Sequence, residues 1–364
     1  MNAPATMNAI VLEGHGGLDQ LVWHEDWPVP VPGPGEVLIR VGACGLNNTD
    51  INTRSGWYSK TVADATTGGA YDEVDESDPT WGGRPITFPR IQGADAVGVV
   101  VAVGDGAPED LLQKRVMVDC WLRSWDDPFN RDKTGYFGSE CDGGYAQYAK
   151  VDARNVAAIH SSLSDAELAT FSCSYTTAEG MLSRANVSGD DTVLVTGASG
   201  GVGSALVQLA KRRGATVVGL ASPAKHDDVR ALGAEVVLER TPGDLKAALK
   251  TAIGNDTVSV VADIVGGSYW GTLIDALERG GRYTCSGAIA GPMVDFDLRT
   301  FYLHDLTFTG STVVEPHIFN DLVGYIERGE VRPVLAATYP LEEFHAAQTA
   351  FIEKRHTGNI VVLP

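Results

Sequence analysis

The spacing of apolar residues switches several times along this chain between a strand-like and a helix-like pattern, and the clearest switch lies near its middle. Thr192–Thr196 is a short β-branched run, typical of a buried parallel strand. A glycine-rich turn follows, and then Val202, Leu206 and Leu209 recur at helical spacing. Ala215–Leu220 is a second apolar run. The pattern therefore predicts a strand, a turn, a helix and a second strand in succession.

The same kind of pattern extends to both sides of this unit. Asp165–Ser183 is predicted to form one continuous helix before it. Further apolar runs predict strands at Met7–Leu12, Glu36–Cys44, Val258–Ile264, Gly281–Ser286 and Leu306–Gly310. We therefore expect an α/β fold, with a doubly wound parallel sheet in the second half and a mostly β region before it.

The turn at 197–203 has the composition of a dinucleotide-binding site. Glycines let the backbone approach a pyrophosphate, whose charge is met by N–H groups and by the positive end of the following helix. Because the turn lies between a strand and a helix and a second strand follows, the signal is strong. A βαβ unit that binds nothing is the alternative. The candidate cofactor-binding residues of the turn are Ala198, Ser199, Gly200, Gly201, Val202 and Gly203.

The end of the second strand favours NADP(H) over NAD. An NAD site usually has Asp or Glu there, about twenty residues past the first glycine, to hold the ribose hydroxyls. Leu220–Lys225 contains no acid, and the hydroxyl of Ser222 with the cation of Lys225 suits a 2′-phosphate. As an alternative, Ser222 caps a helix and Lys225 is a solvated surface charge.

These segments resemble the coenzyme domain of the medium-chain dehydrogenase/reductase superfamily, and in detail its zinc-independent quinone oxidoreductase branch. That branch has a similar GASGGVG turn and a similar serine-to-lysine segment before its Leu-Gly-Ala. The resemblance covers almost the whole chain, since EVLIRV at 36–41, GGYAQY at 143–148 and the last apolar strand also match. It implies a Rossmann coenzyme domain at 178–312, a GroES-like catalytic domain at 1–177 and 313–364, and a substrate cleft between the two.

The resemblance also implies that no zinc is bound. Zinc alcohol dehydrogenases of the superfamily have a cysteine ligand two residues before the Thr49-Asp50 pair, where this chain has Asn47. The histidine of their Gly-His-Glu motif is replaced by Ala94. Cys173 matches the third ligand and stands alone, and the four-cysteine structural lobe is missing. One thiol does not make a zinc site, so we expect no metal.

Without zinc, another group must polarise a substrate carbonyl or supply a proton. Tyr58 matches a tyrosine near the active site of quinone oxidoreductases and enoyl-thioester reductases. A phenol can do either, although a pKa near 10 makes it a slow acid. The alternative is an aromatic side chain that only shapes the pocket. Asn47 is a second polar candidate for the same cleft.

Further cofactor contacts are implied by the resemblance alone. Thr177 matches a threonine that packs beside the nicotinamide, and the tips at Val265, Gly287 and Ala288 match residues that flank its ring. Asn359 replaces a lysine that often lies near the cofactor phosphates, which weakens the argument for NADP(H).

Two stretches have no regular pattern. Residues 59–88 are longer than the usual connector and carry an acidic cluster at 72–78, which is typical of a solvated face. A loop of this size is a lid, a subunit contact or loosely ordered. Residues 121–140 are rich in aromatic side chains, which wall a substrate pocket or, as we favour, pack an ordered loop.

Composition excludes several partners. The net charge of −19, with no basic cluster, argues against nucleic acid and anionic membranes. No apolar run is long enough to span a bilayer, and residues 1–15 lack the pattern of a signal peptide. The five scattered cysteines are typical of reduced thiols, so we expect a cytoplasmic protein.

Together these features predict an NADPH-dependent oxidoreductase without zinc that acts on a small molecule. Hydride transfer would reduce a quinone or an activated C=C bond. Family dimers often pair the strand that matches Leu306–Gly310, which suggests a homodimer. Two alternatives stay open: a zinc-free alcohol or aldehyde dehydrogenase, and an NADP(H)-binding sensor or scaffold that catalyses nothing.

Overall fold

The computed structural model describes residues 3–364, which divide into two compact units. The first unit runs to Val62, continues over Thr67–Cys173 and ends with Glu315–Pro364, and the second consists of Ala63–Thr66 and Ser174–Val314. Within residues 3–364, no helix combines the length and the apolar character that a bilayer span requires.

The strands, in chain order, are β1 (Thr6–Leu12), β2 (Leu21–Pro28), β3 (Glu36–Gly45), β4 (Asp95–Val103), β5 (Arg115–Val118), β6 (Trp121–Arg123), β7 (Thr134–Tyr136), β8 (Tyr148–Asp152), β9 (Val156–Ala158), β10 (Thr192–Val195), β11 (Thr216–Ala221), β12 (Val236–Glu239), β13 (Val258–Asp263), β14 (Leu277–Cys285), β15 (Thr307–Gly310), β16 (Leu335–Pro340) and β17 (Asn359–Leu363). The helices are α1 (Asn48–Ser55), α2 (Asp165–Leu168), α3 (Ser172–Arg184), α4 (Gly201–Arg212), α5 (His226–Ala231), α6 (Leu245–Ile253), α7 (Trp270–Asp275), α8 (Leu298–Leu303), α9 (His317–Glu327) and α10 (Phe344–Glu353).

The first unit is built on a sheet with the order β16-β17-β3-β4-β5-β9, in which β8 also pairs with β3. Strand β3 buries Ile39 and Val41 and exposes Arg40 between them, as expected for a strand with one face in the core. It pairs antiparallel with β4, and this register brings Gly45 opposite Asp95. Helix α1 begins three residues after Gly45, so the register places the start of this helix near Asp95.

The second unit is a six-stranded sheet with the order β12-β11-β10-β13-β14-β15, and all its pairings are parallel. Strands β10 and β13 are almost fully buried, because helices cover both faces of such a sheet. The predicted fold class is confirmed: the chain combines a Rossmann-like parallel sheet with a mostly β unit. The strand predicted at Thr192–Thr196 is observed over Thr192–Val195.

The prediction of one continuous helix over Asp165–Ser183 is wrong. The structure has two helices, α2 and α3, separated by residues 169–171. In this break the hydroxyl of Thr170 donates to the carbonyl oxygen of Glu167, 2.7 Å away, and the N–H of Thr170 bonds the same oxygen. A local side-chain hydrogen bond of this kind competes with the helical ladder, and the apolar spacing does not reveal it.

Residues 59–88 contain no helix or strand, yet hydrogen bonds hold them to the first unit. The fully buried guanidinium of Arg54 donates to the carbonyl oxygens of Gly68 and Gly16, at 2.9 and 2.6 Å, and to the amide oxygen of Gln348 at 3.2 Å. Asp78 accepts from the hydroxyl of Ser59 at 2.7 Å. The predicted loop is therefore an ordered insertion, and Asp78 is one member of its acidic cluster that the fold uses.

Candidate active site

Helix α1 starts at a polar junction between three segments of the first unit. Asn47 occupies the N-cap position, and its side-chain nitrogen donates to the Oδ2 atom of Asp95 over 2.8 Å. The other oxygen of Asp95 accepts from the backbone N–H of Cys173 at 2.5 Å. Asn47 and Asp95 are both buried. Asn47 and Cys173, two of the three residues at the positions that match zinc ligands, are thus joined through a carboxyl group.

A second buried acid lies one turn along the same helix. Asp50 accepts from the hydroxyl of Tyr145 at 2.5 Å and from the backbone N–H of Asn47 at 2.8 Å. Burial raises the pKa of Asp50 to about 7, against the hydrogen bonds of Tyr145 and Asn47, and the charge of Asp95 raises it further. Burial likewise raises the pKa of Asp95 to about 7. Each of these carboxyl groups therefore titrates near neutral pH.

Tyr58 follows α1 and its phenol lies over the same helix. The hydroxyl donates to Oγ1 of Thr49 at 3.2 Å, and the side chain of Asn52 also hydrogen-bonds it. Burial raises the pKa of Tyr58 to about 12, so the phenol stays neutral at physiological pH. The geometry gives it the properties of a hydrogen-bond donor and makes it a poor proton donor. Its predicted catalytic role stays a prediction.

The thiol of Cys173 has partners of its own. The hydroxyl of Tyr136 donates to its Sγ atom over 3.0 Å, and the thiol of Cys120 lies within hydrogen-bonding distance. Burial raises the pKa of Cys120 and of Tyr136. These groups stay protonated, and Tyr136 holds Cys173 in place.

Aromatic rings from the 59–88 insertion, from the turn after α1 and from strands β6 and β7 meet beside this thiol. Trp81, from the 59–88 insertion, packs edge-on against Tyr58 with ring centroids 5.1 Å apart and against Trp121 at 5.8 Å. It also contacts Tyr136 at 5.7 Å. The stretch 121–140 therefore does more than pack its own loop, although its Phe129 is 70% exposed. Trp81, Trp121 and Tyr136 are called the aromatic wall below.

A small cavity lies between α1 and the insertion, and Tyr58 is one of the residues that line it. It measures about 30 Å³, and its lining includes His15, Asn52, Val74 and Thr80. That volume admits about one water molecule and no organic substrate.

The glycine turn of the second unit has the backbone that a pyrophosphate requires. Gly197 has a φ of +56°, in the left-handed region, and its carbonyl oxygen accepts from the N–H of Gly200. A Cβ atom on Gly203 would overlap that same oxygen, so only glycine allows α4 to begin this close to β10. Gly201 opens α4, and the N-terminus of this helix faces the turn. The residues fit a dinucleotide cofactor.

Two further strand tips lie beside this turn. Gly266 has a φ of +62°, and a Cβ atom on it would lie 3.1 Å from Ala288. The Cγ2 atom of Val265 approaches Gly197 in the same way, since a Cβ atom on that glycine would lie 3.3 Å from it. Gly287 lies against the carbonyl oxygen of Ile264. The structure thus brings together the predicted contacts Val265, Gly287 and Ala288 with the turn.

Asp263 sets the shape of these tips, and the sequence analysis missed it. This fully buried carboxylate ends β13 and accepts hydrogen bonds from the hydroxyls of Thr196, at 2.6 Å, and Tyr283, at 2.8 Å. It also accepts from the N–H groups of Val265 and Gly266. The signal in the sequence that could have identified this residue was a single acid at the end of an apolar strand.

Ser222 and Lys225 lie at the end of β11, as expected. Ser222 occupies an N-cap position, but its side chain makes no capping hydrogen bond. Burial lowers the pKa of Lys225, and the positive charge of Arg240 lowers it further. Arg240 follows β12, the neighbour of β11, and sequence analysis did not single it out. Lys225 and Arg240 are thus two cations close to each other, an arrangement suited to an anion.

The remaining predicted contacts lie apart from the turn in sequence. Thr177 is half-buried on α3. Asn359 is buried at the start of β17, and its side-chain nitrogen donates to the carbonyl oxygen of Thr170 at 3.4 Å. The roles of both residues in binding the cofactor stay predictions.

A parallel sheet with a glycine turn at its carboxyl edge, in a chain that also has a GroES-like β unit, defines a dinucleotide-dependent oxidoreductase. Two family models agree with this class: residues 33–161 match the alcohol dehydrogenase GroES-like domain, and residues 201–328 match the zinc-binding dehydrogenase family. The chain belongs to the medium-chain dehydrogenase/reductase superfamily. It is accordingly an NAD(P)-dependent oxidoreductase, which sets aside the alternative of a sensor or scaffold.

Individual relatives span nearly the full length. A solved structure from Sinorhizobium meliloti 1021, provisionally named an alcohol dehydrogenase, is 46% identical with a TM-score of 0.91, over 100% of this chain and 98% of that one. The quinone oxidoreductase of Rattus norvegicus is 28% identical, covering 98% of each chain. The acryloyl-coenzyme A reductase of Metallosphaera sedula is 26% identical, over 98% of this chain and 99% of that one.

Zinc does not fit the residues at the expected positions. Asn47 turns its amide nitrogen to Asp95, Ala94 has no ligand atom, and the thiol of Cys173 accepts a hydrogen bond from Tyr136. Among residues 3–364, no group of three or more His, Cys, Asp or Glu side chains is placed to hold a metal ion. That the enzyme works without zinc stays a prediction.

Replacing Asp50 with asparagine should flatten the dependence of stability on pH. The pKa of Asp50 is about 7 in the folded protein against an ordinary 3.8, so its contribution is fully present below 3.8 and is lost as the pH rises through 7. The free energy of unfolding should therefore fall less between pH 5 and 8 in Asp50→Asn than in the wild type, by about 3 kcal/mol. Urea denaturation measures this. The exposed Asp72→Asn is the control, and equal slopes in wild type and Asp50→Asn would contradict the assignment.

Proposed function

We propose that this chain is an NADPH-dependent, zinc-independent oxidoreductase that reduces a quinone or an electron-poor C=C bond. The observation that carries the proposal is the hydrogen bonding at the zinc-ligand positions, where Asn47 and Cys173 bond to Asp95 and Tyr136. Bound NADPH supplies the hydride in such reactions. None of the five cysteines, all of which lie within residues 3–364, forms a disulfide, which supports a reducing, cytoplasmic location.

Tyr58 is the group we assign to the substrate carbonyl. Its hydroxyl donates to Thr49, and the rotation of one O–H bond redirects that proton to a carbonyl oxygen nearby. Because its pKa of about 12 keeps the phenol neutral, it stabilises developing negative charge through a hydrogen bond and does not transfer its proton. Asn47 orients Asp95 and so acts as a positioning residue.

A zinc-free alcohol dehydrogenase is the second candidate. The 46% identity to the Sinorhizobium meliloti protein supports it, since that protein is provisionally named an alcohol dehydrogenase. The identity to a quinone oxidoreductase and to an acryloyl-coenzyme A reductase, over almost the full length, supports reduction of a conjugated acceptor. The two candidates differ in the acceptor they reduce.

Purified enzyme should oxidise NADPH with 1,4-benzoquinone or an α,β-unsaturated ketone and not with a saturated aldehyde. This activity should survive removal of metal by a chelator. Tyr58→Phe should lower kcat/KM by about tenfold or more, because it removes the hydrogen bond to the developing oxyanion. Tyr148→Phe, at a half-buried tyrosine of β8, is the matched control. Turnover of the aldehyde that is lost with the metal would favour a zinc dehydrogenase instead.

Lys225 and Arg240 support a preference for NADPH, because their charges suit the 2′-phosphate. We expect Lys225→Ala to raise the KM for NADPH about tenfold and to leave the KM for NADH within twofold. Steady-state kinetics with both coenzymes measure this, and the exposed Lys246→Ala on α6 is the control. Equal effects on both coenzymes, or a wild type that prefers NADH, would exclude the assignment.

The edge of the parallel sheet supports a homodimer. Strand β15 is the last strand of its sheet and has an open edge. In the segment that precedes β15, Met293, Leu298, Tyr302 and Leu303 are each more than half exposed. Such a cluster is typical of a protein interface.

Leu298→Glu should therefore shift the protein from dimer to monomer, because a charge would enter the apolar contact. Sedimentation velocity measures the change. Phe129→Glu, at an equally exposed side chain of the first unit, should leave the dimer intact. A wild type that is monomeric at micromolar concentration would rule the dimer out.

A further inference from the structure

We propose that Trp81 is a specificity-determining residue and that the aromatic wall selects acceptors that carry a planar ring. Quinones and aryl-substituted enones belong to this class, and open-chain enones do not. The inference rests on the proposed function and narrows its substrate class. Its basis is the packing of Trp81 between Tyr58 and the two other rings of the wall.

Hydrogen bonds hold the aromatic wall in place, because both sequence neighbours of Trp81 are bonded to one carboxylate. Oε1 of Glu140 accepts from the hydroxyl of Thr80 at 2.6 Å and from the N–H of Gly82 at 2.7 Å. Its Oε2 accepts from the N–H of Tyr136, also at 2.7 Å. Glu140 thus fixes the position of Trp81 relative to Tyr136.

The rings of the wall meet edge-to-face, and Trp81 keeps part of its surface exposed. Trp121 lies nearly perpendicular to it, with an interplanar angle of 90°, and Tyr58 at 71°. Trp81 is half-buried, whereas Trp121 and Tyr136 are almost fully buried. A flat conjugated ring gains offset-stacking or edge contacts on such a surface, whereas a short open chain offers only a few methyl contacts.

An unsatisfied donor points to a ligand with an oxygen atom. Trp121 is 4% exposed, and its indole nitrogen has no hydrogen-bond acceptor within residues 3–364. Buried polar groups are nearly always paired, with protein, water or ligand. The hydroxyl of Tyr136 already donates to Cys173, so it is not the donor for such an oxygen. A carbonyl oxygen on a bound ring compound would be an acceptor for Trp121.

The test compares 4-phenylbut-3-en-2-one and 1,4-benzoquinone with but-3-en-2-one in wild type and Trp81→Ala. We expect Trp81→Ala to raise the KM for both ring compounds about tenfold, with kcat changed less, and to leave the KM for but-3-en-2-one within twofold. Trp81→Phe should restore most of the affinity. Phe129→Ala, at an exposed ring of the stretch 121–140, is the matched control and should change nothing. Circular dichroism confirms that each variant is folded.

Equal losses for ring and open-chain acceptors would show a merely structural role and overturn the proposal, as would an unchanged preference in Trp81→Ala. Binding of the saturated ketone 4-phenylbutan-2-one, measured by calorimetry, separates this from the proposed function. If wild type reduces none of the acceptors but binds this ketone, and Trp81→Ala does not bind it, the proposed reaction is wrong and the proposed role of the aromatic wall is supported. If wild type reduces open-chain enones and does not bind the ketone, the proposed selectivity of the aromatic wall is wrong and the proposed reaction is supported.

Discussion

The site of the first unit depends on one buried carboxyl group. Asp95 is 1% exposed, and burying an acid is costly unless its oxygens receive hydrogen bonds. One oxygen takes the amide of Asn47 and the other the N–H of Cys173. The antiparallel register that pairs Gly45 with Asp95 makes this possible. The start of α1 and the start of α3 are thereby joined to β4, and Tyr58 takes its place from α1.

The second unit also has a buried acid whose oxygens need hydrogen-bond donors, and this acid lies at the edge of the parallel sheet. Asp263 is as deeply buried as Asp95, and its donors come from the ends of β10 and β14 and from the loop after β13. This carboxylate therefore holds three chain segments at one edge. Close backbone approach at Gly197 and Gly203 then leaves the N–H groups at the start of α4 facing the turn, where a cofactor phosphate is predicted to bind.

Local pattern was enough to predict the parallel sheet, the glycine turn and the end of β11, because strand, turn and helix each depend on residues close in sequence. Contacts over long separations were not predictable in this way. Trp81 meets Tyr136, 55 positions later, and Arg240 approaches Lys225 from a neighbouring strand. The break between α2 and α3 was missed for another reason: one hydroxyl, that of Thr170, outcompetes an otherwise helical pattern. Asp263 was missed because a single acid after an apolar run has many possible roles.

The match to a zinc-binding dehydrogenase family suggests zinc, whereas the residues at the ligand positions do not fit zinc. The region that is matched and the contacts of these residues explain the difference. The match covers residues 201–328, which form much of the parallel sheet and contain neither Asn47 nor Cys173. It therefore reports the coenzyme fold and says nothing about metal chemistry, which depends on particular side chains. In the first unit the residues at the ligand positions form other hydrogen bonds: Asn47 bonds to Asp95, and Cys173 accepts from Tyr136. Restoring a ligand would break these bonds and leave the buried oxygen of Asp95 without a donor. Both oxygens of Asp95 and the thiol of Cys173 therefore have hydrogen-bond partners within the first unit.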